Sequence, residues 1–299
     1  MLFFFIIGGA IDYLYFDAFS PVGPPLPLAT IFSLGVATFT TLSAYYGGSG
    51  LILGSLGAEK PDGQIPEHRE LRNIVTEMAL ASGSAMPQVY VIYDPAPNAL
   101  ATGTNEKNAA ICVTTGLLTL LDREETQGVV AHEMSHIRNE DILLMTMVSV
   151  LIGGIAILAD LGQRGFYSSR TGRRLGSKSP LLFLPLLLLI AFSPLIARLL
   201  AMAVSRQREY LADATAAQYT RNPVGLARAL EKIRDAALPF HKATRGTAHL
   251  FFANPLRRRL EDSDSNLANL LMTHPPINRR IELLYRMAGI PITVAQLKS

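Results

Sequence analysis

Cysteine is nearly missing from this chain: Cys112 is the only one in 299 residues. An internal disulfide is excluded, and nothing calls for an oxidising compartment. Charge is scarce too. Charged residues make up 17% of the chain and hydrophobic ones 49%, with a mean hydropathy of +0.27. That is too apolar for an ordinary soluble domain and points to a membrane protein. Residues 1–59 contain no Lys or Arg, Lys60 being the first, so the N-terminus lacks the basic region of a signal peptide. The net charge of +3 comes from scattered residues. No aromatic–basic module accompanies them, which excludes nucleic acid as a partner.

Four long apolar stretches are present. The first, Leu2 to about Phe16, is interrupted by Asp12 and short for a span; the second runs from about Leu26 to Tyr46. The third, Ile142 to Ala159, is uncharged, and the fourth, Pro180 to Ala197, is Leu-rich and kinked by Pro185 and Pro194. A helical span needs about 20 apolar residues, which the last three reach with flanking help. The third and fourth either cross a bilayer, dip into it, or pair as a buried hairpin. The expected organisation is membrane segments over 1–58, a first polar part over 59–141, an apolar helical hairpin over 142–202, and a second polar part over 203–299.

Between these stretches, His132-Glu133-Met134-Ser135-His136 reads H-E-x-x-H within a helical pattern. Two histidines four apart lie on one helix face, where both imidazoles reach one zinc ion with the glutamate beside the metal's water. Val129, Val130, Met134 and Ile137 supply apolar positions at helical spacing. A buried face carrying two histidines and a glutamate is costly without a metal or other partners. Zinc in a catalytic site needs a third protein ligand, and Glu209 is the best candidate, with Glu140 and Asp141 next. Asp213 shares a helix face with Glu209 and suits the other ring nitrogen of a ligand histidine. A hairpin over the third and fourth stretches returns its ends to one place, which brings His132, His136 and Glu209 together.

The polar parts predict helices over 66–82, 206–219, 223–236 and from Pro275-Pro276 to Met287. Gln88–Tyr93 and Ala109–Thr114 are predicted strands, the second an edge on which an extended peptide adds. Lys242 to Asn266 reads as a linker. His274, just before a helix, is the candidate donor to the oxyanion. Asn98 either clamps the peptide or stabilises its own turn. His68, His241 and His249 lack ligand spacing. The class competing with an enzyme is a non-catalytic membrane scaffold. It would show loss of the base or a ligand, whereas His132, Glu133, His136 and Glu209 are all present.

The segments Asp94–Gly103, Val113–Leu118, His132–His136, Ser205–Asp213, Leu250–Pro255 and Thr273–Pro276, in this order and spacing, resemble the HtpX-type membrane zinc metalloproteases, relatives of the CAAX prenyl proteases. The likeness covers about Glu67 to Met287. It implies an α+β fold: a mainly helical, zincin-like (gluzincin) domain with a small β-sheet, plus transmembrane helices. It also implies one Zn2+ per subunit, membrane-protein or unfolded substrates, a role in membrane-protein quality control, and a home in a bacterial or archaeal cell membrane. The excess of Lys and Arg on cytoplasmic flanks places the region from Lys60 inside. Arg164, Arg170, Arg173, Arg174 and Lys178 oppose that rule if the third and fourth stretches both span.

Overall fold

The structure, a computed structural model, describes Phe5, Gly8, Gly9, Asp12, Tyr13 and residues 26–152, 206–236, 250–252 and 275–291. The fourth apolar stretch, His241, His249, His274 and most of the Lys242–Asn266 linker lie outside these residues. The part of that linker that is described, Leu250–Phe252, is no loose connection: all three side chains are buried, and Phe251 bridges antiparallel to Leu100. The described chain is mostly helical with one small mixed sheet. It divides into two compact units, and residues 48–153 with 198–299 form the one that carries the site.

Helix α1 (Leu28–Leu56) outruns the predicted apolar stretch by ten residues at its C-terminal end. Among the described residues it alone is long and apolar enough to cross a membrane, with a mean hydropathy of 1.4. Phe32, Phe39 and Tyr46 on it are more than two-thirds exposed (73%, 72% and 81%), which suits a helix solvated by lipid rather than by protein. After α1 come β1 (Ala58–Glu59), α2 (Pro66–Ser82) and β2 (Gln88–Ile92). Pro66 starts α2 at the position where its missing N–H costs nothing, and Gly83 ends it in the left-handed conformation (φ 67°). The chain continues through β3 (Ala99–Thr102), β4 (Ala110–Thr114), the short α3 (Thr115–Leu120) and α4 (Arg123–Arg138). The apolar helix α5 (Asp141–Ile152) follows, then α6 (Arg206–Thr220), α7 (Pro223–Ala236) and α8 (Ile277–Met287).

The sheet order is β1-β2-β4-β3. β2 and β4 are parallel, with Gln88 opposite Ala110 and Ile92 opposite Thr114, while β3 returns antiparallel with Ala99 opposite Val113. This corrects the expectation of an edge strand at 109–114: β4 is an inner strand, because four residues of β3 fold back along its far side. β3 itself escapes sequence reading. Ala99, Leu100, Ala101 and Thr102 are all buried, so they show no polar–apolar alternation.

Alternate β4 side chains enter different cores. Ile111 and Val113 join Leu71, Ile74, Val129, Met134, Leu226 and Ile281 in the larger one. Cys112 faces the other way, with Leu100, Ile52, Leu56, Met145 and Phe251. Gly128 lets α4 and α7 approach, since a Cβ there would lie 2.9 Å from the Leu226 backbone.

Candidate metal centre

Helix α4 is fixed at its start by a capping box. Asp122 accepts from the Glu125 N–H at 2.9 Å, and Glu125 accepts from the Asp122 N–H at 2.9 Å. Its polar residues His132, Glu133, Ser135 and His136 are nonetheless buried, each at most 3% exposed. Burying such groups is costly unless partners meet them, and the partners come from four other elements.

His132 and His136 turn their Nε2 atoms toward each other at 3.2 Å. Glu209 enters from α6, with one oxygen 3.8 Å from His132 Nε2 and the other 3.5 Å from His136 Nε2. In a tetrahedron with metal–ligand bonds of about 2.0–2.1 Å, neighbouring donor atoms sit about 3.3–3.4 Å apart. The observed spacings of 3.2, 3.5 and 3.8 Å fall close around that value.

The outer ring nitrogens are both engaged. His132 Nδ1 lies 2.9 Å from Asp213 Oδ1, and His136 Nδ1 lies 3.2 Å from Asp141 Oδ2. A carboxylate can only accept, so each Nδ1 carries the proton and each Nε2 directs a lone pair inward. Two lone pairs and a carboxylate then converge on one point. A cation resolves that arrangement, and these residue types fit a metal ion.

The protonation balance supports the same geometry. Burial, with Arg280 and His136 adding, pulls His132 down to about 4 against the pull of Asp213, so this ring is neutral at pH 7. Burial also opposes a charge on His136, but Asp141, Glu209 and Glu133 outweigh it and raise that ring. Burial, helped by Glu209, pushes Glu133 up to about 7, although the Ala101 N–H of β3 donates to it.

The structure thus brings together His132, Glu133, His136, Glu209 and Asp213. Asn98 sits apart in the turn before β3, 3% exposed, where its Oδ1 accepts from the Ala99 N–H at 3.0 Å. His68 is buried on α2, its Nδ1 accepting from the Asp62 N–H at 3.0 Å. Sequence reasoning misses Arg280. This residue on α8 grips Asp213 with two hydrogen bonds, 2.8 and 2.7 Å, and lies over the Phe252 ring at 4.8 Å. Phe252 in turn packs edge-on against His132, ring centroids 4.9 Å apart. A signal was there: Arg280 falls on the face of α8 that carries the buried Ile281 and Leu284, where a charge demands a buried partner.

Known proteins share sequence or fold with this chain at four points of comparison. Residues 66–288 match the family model described as Peptidase family M48. A protein described as Protease HtpX homolog from Caldanaerobacter subterraneus subsp. tengcongensis is 46% identical over 245 residues, 81% of this chain and 79% of the relative. One with the same description from Streptococcus uberis is 35% identical over 295 residues, 96% and 94% of the two chains. Among solved structures, S. mikatae Ste24p matches with a TM-score of 0.51 at 19% identity; the match covers 94% of this chain but 63% of that one, and bears on the fold.

Proposed function

The chain belongs to peptidase family M48 and is a metalloprotease, and from that premise we propose that zinc is its metal, with His132, His136 and Glu209 as ligands and Glu133 as general base. The observation that carries this reading is the convergence of three electron-rich atoms while both outer ring nitrogens are tied to carboxylates. When bound, zinc makes a water acidic and polarises the scissile carbonyl. The remaining work belongs to the chain. Glu133 takes the proton of the attacking water and passes it to the leaving nitrogen. Its raised affinity for a proton suits that transfer near neutral pH. Asp213 holds the tautomer and orientation of His132. His274 donates to the oxyanion, and Asn98 supports peptide binding by shaping the turn into β3.

The substrates in this reading are membrane-protein segments or unfolded polypeptides, and the setting is a bacterial or archaeal cell membrane. Helix α1 spans the bilayer, residues 142–202 enter or cross it as a hairpin, and the peptidase parts face the cytoplasm. The experiment is metal analysis of the purified full-length protein together with casein cleavage by parent and Glu133→Gln. About one zinc per chain, with cleavage in the parent alone, is expected. A metal-free parent that cleaves would overturn the reading.

A further inference from the structure

We propose that each histidine of the site is held by its own aspartate–arginine couple, His132 by Asp213–Arg280 and His136 by Asp141–Arg208, so that Asp141, Arg208 and Arg280 are positioning residues of the metal centre. The inference rests on the reading that His132, His136 and Glu209 bind the metal. It extends that reading to three residues outside the ligand set.

The two couples are built alike from unrelated parts of the chain. Behind His132, Asp213 Oδ1 faces the ring Nδ1 at 2.9 Å while Arg280 donates Nη2 to Oδ1 at 2.7 Å and Nε to Oδ2 at 2.8 Å. Behind His136, Asp141 Oδ2 faces the ring Nδ1 at 3.2 Å while Arg208 donates Nη1 to Oδ1 at 2.7 Å. The second couple depends on a backbone feature. Glu140 is a non-glycine residue at φ 59°, and this left-handed step turns the chain between α4 and α5 so that Asp141 folds back on the helix it has just left.

The arginines answer a specific problem. An aspartate close enough to orient a ligand histidine is also close enough to compete for the metal. Asp213 lies one helical turn from Glu209 on α6, and Asp141 lies five residues beyond His136. A guanidinium that engages the carboxylate fixes its rotation and occupies its lone pairs, leaving the imidazole as the remaining partner. The aspartate then orients and does not ligate. At Asp213, where Arg280 makes two bonds, lysine would supply the charge but not the fork; Arg208 holds Asp141 by one. The couples differ in depth: the Arg280 side chain is 2% exposed and that of Arg208 is 41% exposed. Arg208 can therefore be changed with little effect on folding, which makes its couple the one to test first.

The test uses the full-length protein in detergent, with Zn2+ affinity read by competition with a chromophoric chelator. The visible spectrum of the Co2+-substituted protein reports the coordination geometry. Removing a partner that orients a ligand typically costs about 10- to 100-fold in metal affinity. Asp141→Ala is expected to weaken zinc by that factor and to change the cobalt spectrum, with Asp141→Asn restoring part of the loss. Arg208→Gln should weaken it in the same direction by less. The pair Asp141→Ala/Arg208→Gln should match Asp141→Ala alone, because Arg208 acts through Asp141. Arg280→Lys should weaken zinc, and if that variant fails to fold the Asp141 and Arg208 series still decides. Arg123→Gln, which removes only surface ion pairs to Glu70 and Glu77, serves as the control and keeps the parent's affinity and spectrum. Parent-like affinity and spectrum in Asp141→Ala, or additive losses in the double variant, would overturn the proposal. A parent that binds no zinc, or a Glu209→Ala variant that binds it fully, would instead overturn the ligand assignment beneath it.

Discussion

Replacing Glu133 by glutamine separates metal binding from proton transfer, and the structure supplies a magnitude for each effect. Glutamine keeps the volume and an oxygen that can accept the Ala101 N–H now donated to Glu133. The ligands His132, His136 and Glu209 are untouched, so zinc content should stay at the parent's level. Loss of a positioned base lowers turnover by about 10²–10⁴-fold, or roughly 2.7–5.5 kcal/mol of barrier. The same substitution should stabilise the metal-free protein. Burial raises Glu133 from 4.5 to about 7, so the folded state holds its proton more tightly than the unfolded one. Below 4.5 both states are protonated and the group contributes nothing. As pH rises through that window the unfolded state ionises first, and the parent loses up to roughly 3 kcal/mol that the glutamine variant keeps. Casein cleavage, metal analysis and thermal unfolding in chelator at pH 4.5 and 8 measure these effects. Cleavage within tenfold of the parent, or a stability difference that shrinks as pH rises, would refute the assignment of Glu133.

Three further outcomes are expected. Alanine at His132, His136 or Glu209 should abolish stoichiometric zinc, and a chelator should silence the parent reversibly; full zinc in any of the three variants would remove that residue from the ligand set. Gly128→Val should destabilise the fold by about 1–3 kcal/mol, because the added Cβ meets the Leu226 backbone at 2.9 Å; an unchanged unfolding midpoint would contradict the close α4–α7 crossing. In a Cys112→Ala background, a cysteine at Ser265 should resist a membrane-impermeant thiol reagent on intact cells and react after lysis, and labelling on intact cells would place the peptidase outside. A cysteine at Ser168 that labels on intact cells marks a full crossing of the hairpin, whereas protection until lysis marks re-entry.

Much of the fold is legible because its helices are strongly patterned. The structure has α2 over Pro66–Ser82 and α7 over Pro223–Ala236, as predicted. In each, a proline begins the helix and an apolar stripe marks its face. β3 is hidden because complete burial removes alternation, and the role of β4 follows from pairings that local sequence does not encode. At the centre, His132, Glu133, His136 and Glu209 are legible because metal chemistry restricts residue type and spacing at once. Arg280 is harder to see, and Asp141 is legible only as a reserve ligand, not as the partner of His136 Nδ1. Orienting a histidine can be done by many polar residues from any part of the chain, so neither type nor spacing announces it.

The start of α5 has a practical consequence for dissecting the molecule. Asp141 reaches His136, and five residues later Thr146 Oγ1 pairs with Thr102 Oγ1 at 2.9 Å and accepts from the Gly103 N–H at 3.0 Å. Ile142 and Met145 fill the two cores on opposite faces of the sheet. The first turns of this apolar helix thus brace the end of β3 and the second histidine together. A water-soluble fragment from which the third and fourth apolar stretches are excised, starting at residue 142, would keep every ligand and lose the scaffold that aims them. Constructive redesign has to keep the helix through Ile152 and replace its outward apolar side chains with polar ones.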